Sequence, residues 1–400
     1  MYVLSGSAGT GKTFLMKHLI AELSKNYGLE CVAFTAPTNK ATKVIKKTLG
    51  IPEGSIKTIY SLLGIKMVGF NEELVLEFPR KPVDLGGYAV IFVDEASMIS
   101  KDLFRYILQR SQVYPTKWVF IGDRYQLPPV GEFNSRVWKH KGLSSNLTQV
   151  MRFDNELLEL ATHIRQQIED YPEYDLRIKS HHGTKRGVWK YNKILFIKHL
   201  KNAAVAGLFH QVDHTKVVAW RNKTVEDYNQ IIRRAFFGEA ADQNYIVGDR
   251  ILLSEPVQIE NRVIAHVDDE GTITSTGVAF HGSYPQHKAY HLTVALDDGR
   301  TVSLRVVHES SELSFQEHLN RLALEAKANP ALWKHFWVLR NAFHRVRYSY
   351  ALTAHRSQGS TFEHNAFVDT GDILSNTDEF EALRCLYVAC TRPKRRLIVC

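Results

Sequence analysis

Eight residues near the start, Gly6-Ser7-Ala8-Gly9-Thr10-Gly11-Lys12-Thr13, limit what this chain can fold into. They follow a short apolar run, residues 1–4, and lead into the helical pattern of residues 14–23. A strand, a glycine-rich turn and a helix in that order make a phosphate-binding loop. The glycines let several backbone N–H groups converge on β- and γ-phosphates. Lys12 reaches the same oxygens as a point charge. Thr13 supplies a hydroxyl for Mg²⁺, and the helix it opens points its positive end at the ligand.

The spacing of apolar runs extends this loop into an α/β unit. Residues 31–35 form a second short strand that ends at Ala36-Pro37-Thr38-Asn39, and a helix covers 40–49. Residues 55–63 read as another helical piece. Residues 66–87 carry Glu72, Glu73 and Glu77, then Pro79-Arg80-Lys81-Pro82, and break the rhythm as a small excursion. Residues 88–93 and 117–121 are near-continuous apolar runs, expected of strands covered on both faces. A helix over 101–109 separates them. The class is α/β, a parallel sheet with helices on both sides.

A second α/β unit begins near Leu147, with strands over 217–220, 366–368 and 397–399. A β-rich block over 248–310 interrupts it, with Asp297-Asp298-Gly299 as a hairpin turn. A helical stretch over 314–343 follows, and its Trp333, Phe336 and Trp337 read as packing core. Four hundred residues hold two to four such units.

Charge points to an anionic partner. Lys and Arg number 51 against 42 Asp and Glu, a net charge of +9. Nucleic acid is the simplest match. Cys31, Cys385, Cys390 and Cys400 show no paired CxxC spacing, so neither a zinc site nor a disulfide framework is expected. No membrane span or signal peptide is read, and a reducing cytoplasmic setting is expected.

Two carboxylates, Asp94 and Glu95, end the apolar strand Val90-Ile91-Phe92-Val93. In an open parallel sheet that edge is the ligand side. Asp94 is expected to hold Mg²⁺, and Glu95 to orient and deprotonate the attacking water. Gln126, in Gly122-Asp123-Arg124-Tyr125-Gln126, has the donor and acceptor to touch both γ-phosphate and water. Arg152 and Arg392 are candidates for the cationic fork that stabilises charge on the transferring phosphoryl group.

Taken in order, seven motifs resemble those of superfamily 1 DNA helicases, most closely the Dda and RecD-like branch. They are Gly6 to Thr13, Ala36-Pro37-Thr38, Asp94-Glu95-Ala96-Ser97, Gly122-Asp123-Arg124-Tyr125-Gln126, Arg152, Thr353-Ala354-His355-Arg356-Ser357-Gln358-Gly359, and Tyr387 to Arg392. The resemblance implies two RecA-like motor domains: 1A over 1–145, and 2A over 146–247 and 346–400. It implies a 1B pin element at about 65–87. It also implies an SH3-like 2B insertion over 248–345 with a tower-like extension. Phe70 and residues 79–82 are wedge candidates.

The implied activity is ATP-dependent, 5′-to-3′ movement on single-stranded DNA with unwinding of duplex. Two alternatives stay open: a translocase that displaces bound proteins, and a non-hydrolysing DNA-binding scaffold. Trp220 matches a segment where an aromatic stacks near adenine, and Gln358-Gly359 couples the DNA grip to the γ-phosphate side. Relatives carry a glutamine-bearing helix ahead of the phosphate loop that reads adenine. This sequence opens on the loop's strand, so either its start is assigned late or adenine is held less firmly.

Single strands are gripped through phosphates and by stacking. Pro37, Thr38 and Asn39, with Lys40 and Lys43 behind them, then Thr58 and Tyr60, are the expected contacts in the first unit. Thr353, His355 and Ser357 are those in the second. Expected partners are single-stranded DNA and single-strand/duplex junctions, with single-stranded-DNA-binding or replisome proteins. The motor is expected to be monomeric, in a bacterial or phage-infected cell.

Overall fold

Alternation along short apolar strands builds the first sheet. Its strands are β1 (Tyr2–Gly6), β2 (Val32–Ala36) and β3 (Ile56–Thr58), then, after a two-stranded hairpin of β4 (Lys66–Val68) and β5 (Val75–Glu77), β6 (Val90–Val93), β7 (Lys117–Gly122) and β8 (Leu143–Leu147). The order is β3-β2-β6-β7-β1-β8, parallel throughout. Successive side chains leave opposite faces of a strand. Val3, Ala33, Ile91 and Phe120 therefore pack in one layer with α3 (Ile59–Leu63) and α4 (Lys101–Val113). Leu4, Phe34, Phe92 and Ile121 pack in the other with α1 (Lys12–Tyr27) and α2 (Asn39–Leu49). Each of these buried valine, leucine, isoleucine and phenylalanine side chains contributes about 1.5–3 kcal/mol. The structure, a computed structural model, describes residues 1–50, 56–68, 75–149, 156–183, 185–259 and 262–400.

Two elements differ from the pattern expected of the sequence. The stretch expected to be helical over 55–63 divides: Ile56 to Thr58 pair in parallel with Phe34 to Ala36, and the helix begins at Ile59. Sheet pairing decides the conformation there. β8 pairs in parallel with β1 and carries the first sheet to Leu147, although its side chains are mostly exposed and polar.

The chain continues through α5 (Glu156–Asp170), β9 (His181–His182), β10 (Gly187–Lys190), α6 (Lys193–Val205), β11 (Thr215–Ala219) and α7 (Asn222–Phe237). Then come β12 (Arg250–Leu253), β13 (Val257–Ile259), β14 (Arg262–Ala265), β15 (Glu270–His281), β16 (Tyr284–Leu296), β17 (Thr301–Val307), α8 (Glu309–Ala328), α9 (Trp333–Asn341) and β18 (Val346–Tyr348). It closes with β19 (Ala351–Thr353), α10 (Ala354–Ser357), β20 (Asn365–Val368), α11 (Thr370–Ile373), α12 (Glu379–Cys390) and β21 (Arg396–Val399).

A second six-stranded sheet has the order β19-β11-β20-β21-β10-β9. Within it β10 and β20 pair with β21 in parallel, and β9 is antiparallel to β10.

Two compact units result. One comprises Met1–Phe196, Val217–Thr224 and Leu352–Cys400; the other comprises Ile197–Lys216 and Val225–Ala351. The second unit holds a five-stranded antiparallel sheet, β17-β16-β15-β12-β18. Its helical layer packs Phe315, Leu319, Phe336 and Phe343 around Ala289. Phe336 is wholly buried, whereas Trp337 is exposed. Arg233 and Asp249 form a fully buried ion pair at 2.9 Å in the same unit. The architecture is α/β, with RecA-like parallel sheets and added strand and helical insertions. Among the described residues no helix is long and apolar enough to cross a membrane.

Candidate active site

The phosphate loop closes over its own lysine. Gly9 and Gly11 both have φ of 82°, a backbone that side chains resist. Gly6 is tight for another reason: a Cβ there would sit 2.5 Å from Thr10 Oγ1. The turn brings Lys12 Nζ to the carbonyl oxygens of Gly6 (2.8 Å) and Ser7 (2.9 Å). Thr10 donates to the Ser7 carbonyl at 2.9 Å. Ala8 and Thr13 are partly exposed on the same loop.

Asp94 and Glu95 follow β6 directly. The Asp94 amide donates to the Thr35 carbonyl (2.8 Å), and Asp94 Oδ1 accepts the Glu95 amide (2.8 Å). Glu95 takes a left-handed backbone, φ 52°, uncommon for a residue with a side chain. Loss of solvation raises the Asp94 pKa, against the pull of the Glu95 amide and Lys12. The same loss of solvation, with Asp94 beside it, pushes Glu95 up to about 7; Arg392 and Lys12 oppose the rise and Asp123 adds to it. The electrostatics thus place Lys12, Asp94, Glu95, Asp123 and Arg392 in one neighbourhood.

A residue to which the sequence motif lends no role ties this neighbourhood together. Tyr387, on α12 and 1% exposed, donates its hydroxyl to Asp123 Oδ2 at 2.8 Å. The Tyr387 hydroxyl oxygen in turn accepts the Ala8 amide at 3.1 Å. Asp123 Oδ1 accepts the Tyr125 amide, and the Gln126 amide donates to the Asp123 carbonyl. One turn earlier, Arg384 donates to the Phe133 carbonyl and to Asn134 Oδ1 and lies 4.6 Å from the Phe380 ring centre. Burial, with Arg124 nearby, lowers its pKa to about 10. The signal in the sequence is a phenol ring and a guanidinium within the mainly apolar run from Ala382 to Cys390.

Ser7 Oγ, in the loop, and Gln126 Oε1 are buried and find no partner among the described residues. Arg392 donates to the Val388 and Ser360 carbonyls and to Thr391 Oγ1, and is 6% exposed. Arg152, the other expected arginine, lies outside the described residues, as does Phe70.

Gln358 and Gly359 sit against the first sheet. Gln358 Nε2 donates to Ser97 Oγ (3.1 Å) and to the Leu127 carbonyl (3.4 Å). Gly359 has φ 75°, and a Cβ there would lie 3.9 Å from Glu95 Oε1 and 4.0 Å from Thr38 Oγ1.

Three of the expected DNA contacts share a local design. Thr38, Thr58 and Thr353 are each the N-cap of the helix that follows, accepting the amides of Ala41, Ser61 and Arg356. Uncapped amides and a positive helix end favour an anion there. Pro37 is buried, Asn39 opens α2, and Tyr60 lies on α3 with its pKa raised by burial. His355 Nε2 is 3.1 Å from Glu381 Oε1. Ser357 is fully buried and donates to the Ala354 carbonyl.

Trp220 is held from the backbone. Asp372, 5% exposed, accepts the amides of Trp220 (2.7 Å) and Arg221 (2.9 Å), the Arg221 guanidinium (2.6 Å) and the Thr224 hydroxyl (2.6 Å).

Comparison with known proteins agrees with this arrangement. An AAA domain model matches residues 1–183, and a UvrD-like helicase C-terminal domain model matches residues 348–400. The ATP-dependent DNA helicase dda of Enterobacteria phage T4 is 29% identical over 426 residues, covering 97% of this chain and 92% of its own. The ATP-dependent DNA helicase RRM3 of Saccharomyces cerevisiae is 32% identical over 186 residues, 40% of this chain and 24% of its own. Among solved structures, the Pif1 helicase from Candida albicans covers all of this chain and 90% of its own at 17% identity, with a TM-score of 0.46. The chain is a nucleotide-hydrolysing P-loop DNA helicase of the superfamily 1 type, related to the Dda and Pif1-like helicases.

Proposed function

We propose that this chain is an ATP-driven motor that moves 5′ to 3′ along single-stranded DNA and unwinds the duplex ahead of it. The observation that carries this reading is the position of Gly359. One peptide lies beside both the carboxylate assigned to water activation and the threonine capping a helix end assigned to DNA. A change at the γ-phosphate is therefore one residue away from the grip on the track.

The chain's own groups divide the chemistry. Lys12 and the loop amides bind the phosphates; Gln126, with its unpartnered oxygen, senses the γ-phosphate and the water. Glu95 takes the water's proton. Arg392, with Arg152, supplies positive charge where the phosphoryl oxygens gather negative charge. Thr13 and Asp94 offer a hydroxyl and a carboxylate, the all-oxygen donor set that suits Mg²⁺. The loss of solvation at Asp94, and the repulsion its charge exerts on Glu95, fit a dication there. When bound, Mg²⁺ neutralises charge on the phosphates. Trp220 stacks near the base.

On this reading residues 1–145 are motor domain 1A, and residues 146–247 with 346–400 are 2A. The hairpin within about 65–87 is the pin, and 248–345 is an SH3-like insertion with its tower-like extension. Thr38, Asn39, Thr58, Tyr60, Thr353 and His355 line the track, and Ser357, buried and bonded to the Ala354 carbonyl, braces α10 behind them. Partners are single-stranded DNA and its junctions with duplex.

Strand displacement on duplexes with a single 5′ or 3′ tail tests the proposal. Unwinding of the 5′-tailed substrate alone is expected; a requirement for a 3′ tail would refute the direction. Lys12→Ala is expected to abolish DNA-stimulated ATP hydrolysis, and Glu95→Gln to keep nucleotide binding without turnover. Normal turnover in either variant rules out that residue's role.

A further inference from the structure

His355, in α10, and Glu381 and Cys385, on α12, bring three kinds of ligand atom to one point. His355 Nε2 and Glu381 Oε1 are 3.1 Å apart, and with Cys385 Sγ the three atoms lie within 4.8 Å of one another. Glu381 and Cys385 are four residues apart, so they share a helix face.

Local chemistry turns these atoms toward one another. Asp378 caps α12, accepting the Glu381 amide at 2.9 Å. A glutamate at this third helical position commonly reaches back to the cap's amide. Here that amide donates to Asn376 Oδ1 instead, and Glu381 turns to His355. Cys385 is fully buried, and no hydrogen bond reaches its thiol among the described residues.

We propose that His355, Glu381 and Cys385 form a site for a zinc-class divalent cation, with a fourth position open to water. A neutral imidazole, a carboxylate and a thiolate together carry two negative charges, and a dication makes the cluster neutral where Cys385 is buried. Binding releases the thiol proton to solvent. A mixed nitrogen, oxygen and sulfur set selects zinc or cobalt over magnesium or calcium. His355 and Glu381 side chains are 39% and 37% exposed, which gives the ion a path in and leaves room for water. The absence of a CxxC pair concealed the site, because its ligands come from one helix face and a distant turn.

Titration of the full chain with Co²⁺, in a thiol-free reductant, tests the proposal. A thiolate-to-cobalt charge-transfer band and tetrahedral visible bands are expected to saturate at one equivalent, to persist in excess Mg²⁺ and to bleach with Zn²⁺. Cys385→Ser is expected to remove the charge-transfer band; His355→Ala and Glu381→Gln each weaken binding by more than about tenfold. No band, or the same band in Cys385→Ser, overturns the site, since Cys31, Cys390 or Cys400 would then be the source. If Cys385→Ser does not fold, the half-exposed His355→Ala decides: unchanged cobalt affinity overturns the proposal. The cobalt spectra report the site independently of the motor function proposed above.

Discussion

Tyr387 donates its hydroxyl to Asp123 across 2.8 Å, and the same oxygen accepts the amide of Ala8 in the phosphate loop. One side chain on α12 thus joins two segments of the first sheet's ligand edge. Tyr387→Phe keeps the ring and removes both bonds, leaving an amide and a carboxylate oxygen short of partners. Such a loss costs about 1–3 kcal/mol. The expected outcome is a kcat for ATP hydrolysis lower by roughly tenfold, near 1.4 kcal/mol on the barrier, with far-ultraviolet circular dichroism unchanged. A kcat equal to that of the parent would show the bonds to be idle in turnover.

Gly359 is confined by its backbone as well as by its neighbours. At φ 75° an added methyl group is strained by about 1–2 kcal/mol. Gly359→Ala is expected to lower the stimulation of ATPase activity by single-stranded DNA by about tenfold, while basal hydrolysis changes little. Steady-state ATPase with and without DNA measures this; equal stimulation in both proteins would separate Gly359 from coupling.

Asp372 serves four donors in the segment from Trp220 to Thr224. Burial raises its pKa, but the bonds from Thr224, Arg221 and Trp220 outweigh that and hold it below the ordinary carboxylate range. Asp372→Asn removes the charge and turns an amide donor toward these donors. A loss of about 2 kcal/mol in stability is expected, together with a higher KM for ATP. Since the folded pKa is the lower one, the native contribution is present above about pH 4 and disappears as pH falls through the folded value. Denaturant melts and initial-rate kinetics are the measurements.

His210 adds a pH dependence of the opposite chemical kind. Burial, then Arg250 and Lys216, lower its pKa to about 4, and its ring stacks 3.9 Å from that of Phe236. The unfolded chain takes up a proton near pH 6.5 while the folded chain resists. Stability is therefore full above about pH 6.5 and falls as pH drops toward the folded value, by roughly 1 kcal/mol at about pH 5.5. His210→Phe is expected to flatten that part of the urea-midpoint profile. An unchanged slope would assign the dependence to other groups.

The phosphate loop and the Asp94-Glu95 pair were legible because their chemistry is local: a few adjacent residues dictate turn, strand end and charge. The strands β2, β6 and β7 were legible because burial on both faces demands unbroken apolar runs. β3 and β8 were not. Ile56 to Thr58 is extended through its pairing with Phe34 to Ala36, and Leu143 to Leu147 is a polar edge whose partner lies at the chain's start. Tyr387, Arg384 and Asp372 were equally hidden in their roles. Their partners stand far away in sequence, and only folding brings donor and acceptor together.

The grip of the Gly6 and Ser7 carbonyls on Lys12 has a kinetic consequence. The ammonium is solvated by its own loop, so an arriving nucleotide exchanges one set of oxygen neighbours for another instead of rescuing a stranded charge. The departing product finds the reverse exchange equally ready. The net gain on capture is thereby smaller than it is for a stranded charge, which suits a machine that must empty its pocket once in every stroke.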